Sequence, residues 1–169
     1  MKIRNGFVSN SSSSSFIVAF QKKPESTEET LKMLGLDEHV SCFGNAIHGF
    51  EAANRVYEDI LDEESNLTDE EAIELLSNEV YWEASEKYEK EHGKLSWDES
   101  NPDNRQERWD TIDKICKEKA KVMWENFKKQ NKNSLFYQFC YSDNDGTLYT
   151  VMEHGEIFSE LPYIRISQH

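Results

Sequence analysis

The chain has 169 residues, of which 37% are hydrophobic and 12% aromatic, enough for one folded domain with a sizeable core. Its 33 acidic and 19 basic residues give a net charge of -14, which disfavours a general affinity for nucleic acid or for an anionic membrane surface. The three cysteines are too few for a disulfide framework, and no apolar stretch resembles a signal peptide or a membrane helix. We therefore expect a cytoplasmic protein.

A run of five serines precedes the first apolar segment of the chain. The segment Phe16-Ile-Val-Ala-Phe20 is rich in β-branched and aromatic residues and predicts a buried strand. Serine hydroxyls and amides in succession can bind an anion, although the sequence has no G-x-x-x-x-G-K-[ST] phosphate loop. The candidates for cofactor binding are Ser11, Ser12, Ser13, Ser14 and Ser15. A polar leader over residues 1–15 is the favoured interpretation of the run.

Residues 25–132 show helical patterns and are predicted to form the helical middle of the chain. The segment from Ser26 to Glu29 matches a capping box, which predicts a short helix that ends at Gly35. A second capping box, from Thr68 to Glu71, predicts a longer helix that ends at Gly93.

Residues 36–49 fit no periodic pattern. In this segment His39 and Cys42 are spaced like one half of a zinc site, and His48 is near them in the sequence. No further ligands follow at suitable spacing, so a buried free thiol is the favoured interpretation of Cys42.

The last predicted helix carries an apolar stripe that we expect to face the core. Its members are Trp109, Ile112, Cys116, Ala120, Met123 and Phe127. Trp124 is offset from this stripe. Residues 105–132 contain nine bases and five acids, whereas residues 51–91 contain fifteen acids and three bases, so these helices are predicted to complement each other in charge.

The acidic helices have two further interpretations. A solvated helix pair is favoured over a mimic of DNA, in which carboxylates would imitate phosphates. Either way, their surface suits a protein partner with a basic surface.

The final third of the chain has strand patterns. Residues 135–141 are aromatic, Asp143-Asn-Asp-Gly146 has turn chemistry, and residues 148–152 are predicted to return as the partner strand of a hairpin. A last strand is predicted at residues 163–166.

We therefore predict a single α+β domain over residues 1–169. The N-terminal strand and the C-terminal strands, within residues 135–169, form a small, mostly antiparallel sheet. This sheet packs against three to four central helices.

Glu153, His154 and His169 are candidates for metal ligands and for catalytic residues. Two imidazoles and a carboxylate suit zinc or non-haem iron, although no particular cofactor is indicated. Adjacent residues on a strand point to opposite faces, so Glu153 and His154 would both bind a metal only if the strand ended there. Asp143 and Asp145 are interpreted as turn residues at the opposite end of the hairpin.

Four segments near the two ends of the chain resemble segments of other proteins. The segments are Arg4-Asn-Gly-Phe-Val-Ser-Asn-Ser-Ser-Ser-Ser-Ser-Phe16, Tyr141-Ser-Asp-Asn-Asp-Gly146, Glu153-His-Gly155 and Leu161-Pro-Tyr-Ile-Arg-Ile-Ser-Gln-His169. They resemble uncharacterised proteins of bacterial viruses and their hosts. The resemblance implies an origin and no activity, and the acidic middle does not share it.

These observations favour an acidic protein of bacterial-virus type that binds a host or viral protein without catalysis. The alternative is a small metal-dependent enzyme centred on Glu153, His154 and His169. A structural protein of the virion is a third hypothesis, and the oligomeric state is not indicated.

Overall fold

The computed structural model describes residues 13–62, 66–93 and 102–168, without the side chains of residues 102–104, 167 and 168. The chain forms two compact units, one of residues 1–66 and 134–169 and the other of residues 67–133. The prediction of a single domain stays a prediction.

The described ranges contain five strands and six α-helices. The strands are β1 (Ser13–Phe20), β2 (His39–Cys42), β3 (Asn45–His48), β4 (Leu135–Ser142) and β5 (Tyr163–Gln168). The helices are α1 (Thr27–Leu34), α2 (Gly49–Asp62), α3 (Asp69–Glu79), α4 (Tyr81–His92), α5 (Pro102–Gln130) and α6 (Thr147–His154). None of the helices in these ranges combines the length and the apolar character that crossing a membrane requires.

The first unit is built on a three-stranded antiparallel sheet with β1 at its centre. β1 pairs with β4 on one side and with β5 on the other, so the two ends of the chain meet in one sheet as predicted. The sheet packs with α1, α2 and α6 around one hydrophobic core, which confirms the α+β class.

The predicted leader over residues 1–15 is wrong at its end, because Ser13, Ser14 and Ser15 belong to β1 and are buried. A central strand has neighbours on both sides, and small hydroxyl side chains fit there when they find hydrogen-bond partners. Ser11 and Ser12 lie outside the described residues.

Aromatic rings fill the core between the strands. Phe158 follows α6 and is 1% exposed. Its ring centroid lies 5.3 Å from that of Phe16 in β1 and 4.9 Å from that of Phe139 in β4. Tilted ring pairs at such distances stabilise a core beyond the area that they bury. Phe158 therefore joins two strands of the sheet.

The predicted caps of α1 at Ser26 and Gly35 are confirmed, but the Glu29 carboxylate accepts its hydrogen bond from a different residue than predicted. Ser26 Oγ accepts a hydrogen bond from the Glu29 amide, and Gly35 ends the helix at a φ of 60°. The Glu29 carboxylate reaches back to the amide of Glu25, one residue before the predicted partner. The first turn is thus satisfied by side chains, as in other capped helices.

The unassigned segment of residues 36–49 contains a tight β-hairpin. β2 and β3 pair antiparallel over four residues each. Phe43 and Gly44 connect them, both with positive φ, 49° and 79°. Two such residues in a two-residue loop are characteristic of a type I′ turn, whose twist suits a hairpin.

The hairpin predicted between residues 135–141 and 148–152 is wrong. β4 pairs with β1, and residues 148–152 belong to α6. Gly146, at a φ of 102°, ends a 3-10 turn and begins α6, and its carbonyl accepts a hydrogen bond from the Thr150 amide. Val151 and Met152 are buried in the core, so packing outweighs the strand propensity of the segment.

The second unit consists of α3, α4 and α5. The capping box at Thr68 is confirmed, since its hydroxyl accepts from the Glu71 amide and Glu71 accepts from the Thr68 amide. The single helix predicted after it is two helices, because the chain leaves helical geometry at Val80. Gly93 ends the second of these helices as predicted.

The predicted core stripe of α5 is wrong at Trp109, whereas its members Ile112, Cys116, Ala120 and Phe127 are buried as predicted. Trp124 is 1% exposed, whereas Trp109 is 55% exposed. Trp124 Nε1 donates to Asp69 Oδ1 at 2.7 Å, and Lys128 Nζ donates to both oxygens of that carboxylate at 2.7 Å. Trp124 therefore faces the bundle while its N–H finds a partner at the start of α3.

Asp69 makes the second unit sensitive to acid. Hydrogen bonds from Lys128 and from Trp124 hold the pKa of the Asp69 carboxyl below its ordinary value. A carboxyl with a lower pKa in the folded state stabilises the fold above the pKa of the unfolded chain. That stabilisation disappears as the pH falls through the folded pKa.

We expect the Asp69→Asn variant to be less stable at pH 7 by under about 1 kcal/mol, since the carboxylate is largely exposed and screened by water. It should also lose less stability than the wild type between pH 7 and pH 3. Urea unfolding followed by tryptophan fluorescence measures both quantities, with Glu70→Gln as the neighbouring control. Equal acid sensitivity of the variant and the wild type would contradict the role of Asp69.

Candidate functional sites

Glu153 is the centre of a polar cluster in the first unit. It lies in the last turn of α6, and its side chain is fully buried. Its Oε1 accepts a hydrogen bond from Ser14 Oγ at 3.1 Å, and its Oε2 accepts one from the Asp143 amide at 2.8 Å. The carboxylate therefore connects α6 to the central strand and to the end of β4.

Arg165 brings a positive charge to this cluster from β5. Its Nε and Nη2 donate to Ser14 Oγ at 3.2 and 3.0 Å. The hydroxyl thus accepts from the guanidinium and donates to the Glu153 carboxylate. Ser14 therefore links a positively charged and a negatively charged side chain across the sheet. These hydrogen bonds are charge-assisted, and such bonds are stronger than those between neutral groups.

His154 lies at the outer side of the cluster. Its Nε2 is 3.6 Å from Glu153 Oε2, and its Nδ1 is 3.5 Å from Arg165 Nη2. The Phe43 ring, at the tip of the β2–β3 hairpin, packs edge-on against the imidazole at 5.2 Å. The imidazole is therefore held between a carboxylate, a guanidinium and an aromatic ring.

The structure corrects the predicted separation of Asp143 from Glu153. Because residues 147–154 form a helix rather than a returning strand, the two acidic residues lie beside each other. Successive helical side chains also diverge less than successive strand side chains, so Glu153 and His154 both reach the cluster.

The predicted site residues are brought together only in part. Glu153, His154 and Ser14 meet, whereas His169 lies outside the described residues and its role stays a prediction. Arg165 was missed, and its signal is a charged residue within the apolar alternation of the last strand. Asp143 was interpreted as a turn residue away from Glu153, whereas it lies beside it.

Asp143, Glu153 and His154 each offer one ligand atom, and the three atoms lie within 4.8 Å of one another. Two carboxylates and an imidazole are a donor set that suits a divalent metal. Both oxygens of Glu153 already accept protein hydrogen bonds, however, and the Arg165 guanidinium lies beside His154. Through these hydrogen bonds Glu153 is a structural clamp between β1, the end of β4 and α6.

Ser14 does not have the geometry of a nucleophile. It is fully buried, so a substrate cannot approach its hydroxyl in this conformation. Its hydrogen-bond partners are the carboxylate of Glu153 and the guanidinium of Arg165.

A second polar network lies at the end of the same sheet. Tyr141 Oη donates to Asp59 Oδ2 at 3.1 Å, and Arg55 pairs with the same carboxylate. Burial and the neighbouring charge of Asp59 raise the pKa of the Tyr141 phenol well above its ordinary value. The phenol therefore stays protonated and acts as a hydrogen-bond donor.

An exposed aromatic patch lies on the second unit. Trp82 in α4 is 75% exposed and Trp109 in α5 is 55% exposed. Tyr81 connects them, since its ring stacks on Trp109 at 5.8 Å and meets Trp82 edge-on at 6.0 Å. We name these three residues, with the acidic helices α3 and α4, the aromatic–acidic face.

The charges around this face are only partly compensated. Residues 69–92 contain nine acids and two lysines. Three of the acids pair with bases of α5: Lys119 with Glu83, Arg108 with Glu89, and Lys128 with Asp69. These pairs confirm that the helices complement each other, and the surface of α3 and α4 remains acidic.

Comparison with known proteins adds no function. No protein-family model, no curated protein and no solved structure matches this chain.

Proposed function

We propose that this protein acts by binding another protein without catalysis, and that the aromatic–acidic face is its contact surface. The observation that supports this most is the exposure of Trp82 and Trp109, whose rings both contact the ring of Tyr81. Tryptophan and tyrosine are the residues that most often dominate the binding energy of protein interfaces. Contiguous exposed aromatic rings commonly mark such interfaces.

The charge of the face indicates the chemistry of the partner. An acidic rim favours a basic surface, because complementary charge speeds encounter and disfavours wrong partners. The resemblance of the two chain ends to proteins of bacterial viruses is the reason to expect a host or viral protein.

A selection from a random peptide library displayed on a carrier tests this proposal without knowledge of the partner. We expect the wild-type protein to enrich peptides that combine lysine or arginine with apolar residues. Enrichment without a positive charge bias would contradict the proposal.

A second copy of the chain is the competing occupant of the face. Sedimentation velocity of the wild-type protein should show a monomer. A dimer that the Trp82→Ala substitution dissociates would assign the face to self-association and overturn the proposal.

The alternative, a metal-dependent enzyme using Glu153, His154 and His169, is the weaker proposal. The proximity of Asp143, Glu153 and His154 supports it. The hydrogen bonds that Glu153 already accepts, and the guanidinium beside His154, count against it.

A further inference from the structure

The open end of the β2–β3 hairpin brings together three side chains of metal-binding type. His39 and His48 are directly opposite each other in the register of the two strands. Their ring centroids are 4.8 Å apart. Glu38 immediately precedes β2, and its Oε1 lies 3.9 Å from the Nε2 of each histidine. One carboxylate oxygen is therefore equidistant from two imidazole nitrogens.

We propose that Glu38, His39 and His48 bind a divalent transition-metal ion of the zinc type. Each residue offers one ligand atom, and the three atoms lie within 4.8 Å of one another. Zinc takes histidine nitrogens and carboxylate oxygens at about 2.0–2.2 Å in a tetrahedron, which places two ligand atoms about 3.4 Å apart. The observed separations of 3.9 Å need to close by only about 0.5 Å to reach that distance.

The backbone around these residues is held in place. The Gly49 amide donates to the Glu38 carbonyl at 2.9 Å, which continues the pairing beyond the strands. A Cβ atom at position 49 would lie 2.0 Å from the Asp37 carbonyl oxygen, so this close approach requires glycine. The backbone of Glu38 is thereby held beside that of His48.

The two faces of the hairpin differ in a way that suits the site. Val40 and Ile47 form the next pair along the strands and belong to the inner face, packed in or against the core. His39 and His48 are exposed on the other face, where an ion can enter from solvent. The turn chemistry at one end and the core contact on one face thus pre-organise the ligands.

Cys42 is not part of this ligand set. Its thiol donates to the Thr150 carbonyl at 3.4 Å, and burial raises its pKa. The sequence half-site of His39 and Cys42 is therefore replaced by a cross-strand pair of histidines.

The donor set also predicts which ions bind. Imidazole nitrogens favour zinc, nickel, cobalt and copper over magnesium and calcium, which prefer oxygen ligands. Three protein ligands leave a fourth position for water or for a group of another molecule, as in zinc sites that are not purely structural. The site lies in the first unit and does not depend on the proposed aromatic–acidic face.

Isothermal titration of the whole chain with Zn²⁺ tests the proposal, supported by the visible absorption of Co²⁺ as a reporter of tetrahedral coordination. We expect one Zn²⁺ per chain and no binding of Ca²⁺ under the same conditions. His39→Asn and His48→Asn should each weaken Zn²⁺ binding by about tenfold or more, and Glu38→Gln should weaken it as well.

The matched control is His92→Asn, since His92 is an exposed histidine of α4 in the second unit. Cys140→Ser is a second control, because Cys140 is an exposed free thiol that could bind metal by itself. Neither substitution should change the affinity. Far-UV circular dichroism establishes that each variant is folded.

Two results would overturn the proposal. One is the absence of Zn²⁺ binding by the wild-type chain. The other is an unchanged affinity in both His39→Asn and His48→Asn, and a loss found instead in Asp143→Asn would move the ion to the Glu153 cluster.

Discussion

Replacing Glu153 by alanine is expected to lower the free energy of unfolding of the first unit by about 3–5 kcal/mol. The substitution removes the acceptor of the Ser14 hydroxyl and of the Asp143 amide, both of which are held at the end of the sheet. It also removes the negative charge that faces Arg165 through Ser14. Unsatisfied donors inside a protein cost more than the hydrogen bonds themselves contribute.

The measurement is native-state hydrogen exchange of the β1 amides, which reports on this unit directly. Glu51→Ala is the control, because Glu51 is an exposed acid in the first turn of α2 and its loss should change stability by about 0.5 kcal/mol or less. Ser14→Ala combined with Glu153→Ala should show a coupling of about 0.5–3 kcal/mol. A loss below 1 kcal/mol in Glu153→Ala would show that the clamp contributes little.

Replacing Phe158 by alanine is expected to cost about 3–5 kcal/mol, through the lost transfer energy of the ring and the cavity that remains. The ring is fully buried and contacts Phe16 and Phe139, so no solvent can refill the space without disturbing two strands. Phe158→Leu keeps part of the volume and should cost about 1–2 kcal/mol.

The same exchange experiment on β1 measures the effect of Phe158, with Phe50→Ala as the control. Phe50 is 46% exposed in α2, so its removal should cost about 1 kcal/mol or less. Equal losses in the buried and the exposed variant would contradict the assignment of Phe158 to the core.

Local sequence patterns correctly predicted the parts of the fold that depend on interactions between nearby residues. The cap formed by Ser26, the capping box at Thr68 and the glycine that ends α1 are confirmed, because the hydrogen bonds that define them span a few residues. The pairing of the N-terminal strand with the C-terminal strands in one sheet was predicted because both segments have strand patterns.

The predictions failed where contacts between residues far apart in the sequence determine the structure. Residues 148–152 have strand propensity, yet they lie in helix α6 because Val151 and Met152 pack into a core made by segments far away in the sequence. Trp109 belongs to the predicted stripe and Trp124 is offset from it, yet Trp124 is the buried one, because it packs beside the start of α3.

The candidate site was predictable in its residue types and not in its geometry. Glu153 and His154 were found because a carboxylate beside an imidazole is a donor set that suits a metal ion. The partner Arg165 was not found, since its contact with Ser14 depends on the alignment of β1 with β5. The pairing of His39 with His48 similarly depends on the two-residue turn at Phe43.

The measurement that most directly tests the central claim is the dissociation constant of a peptide selected on the wild-type protein, compared between variants. Trp82→Ala and Trp109→Ala should each weaken binding by about 30-fold, and the double variant by more than about 100-fold. Val122→Ala, which removes another exposed apolar side chain of α5, should leave it unchanged within about twofold. Retention of full affinity by the double variant would contradict the claim that the aromatic–acidic face binds the partner.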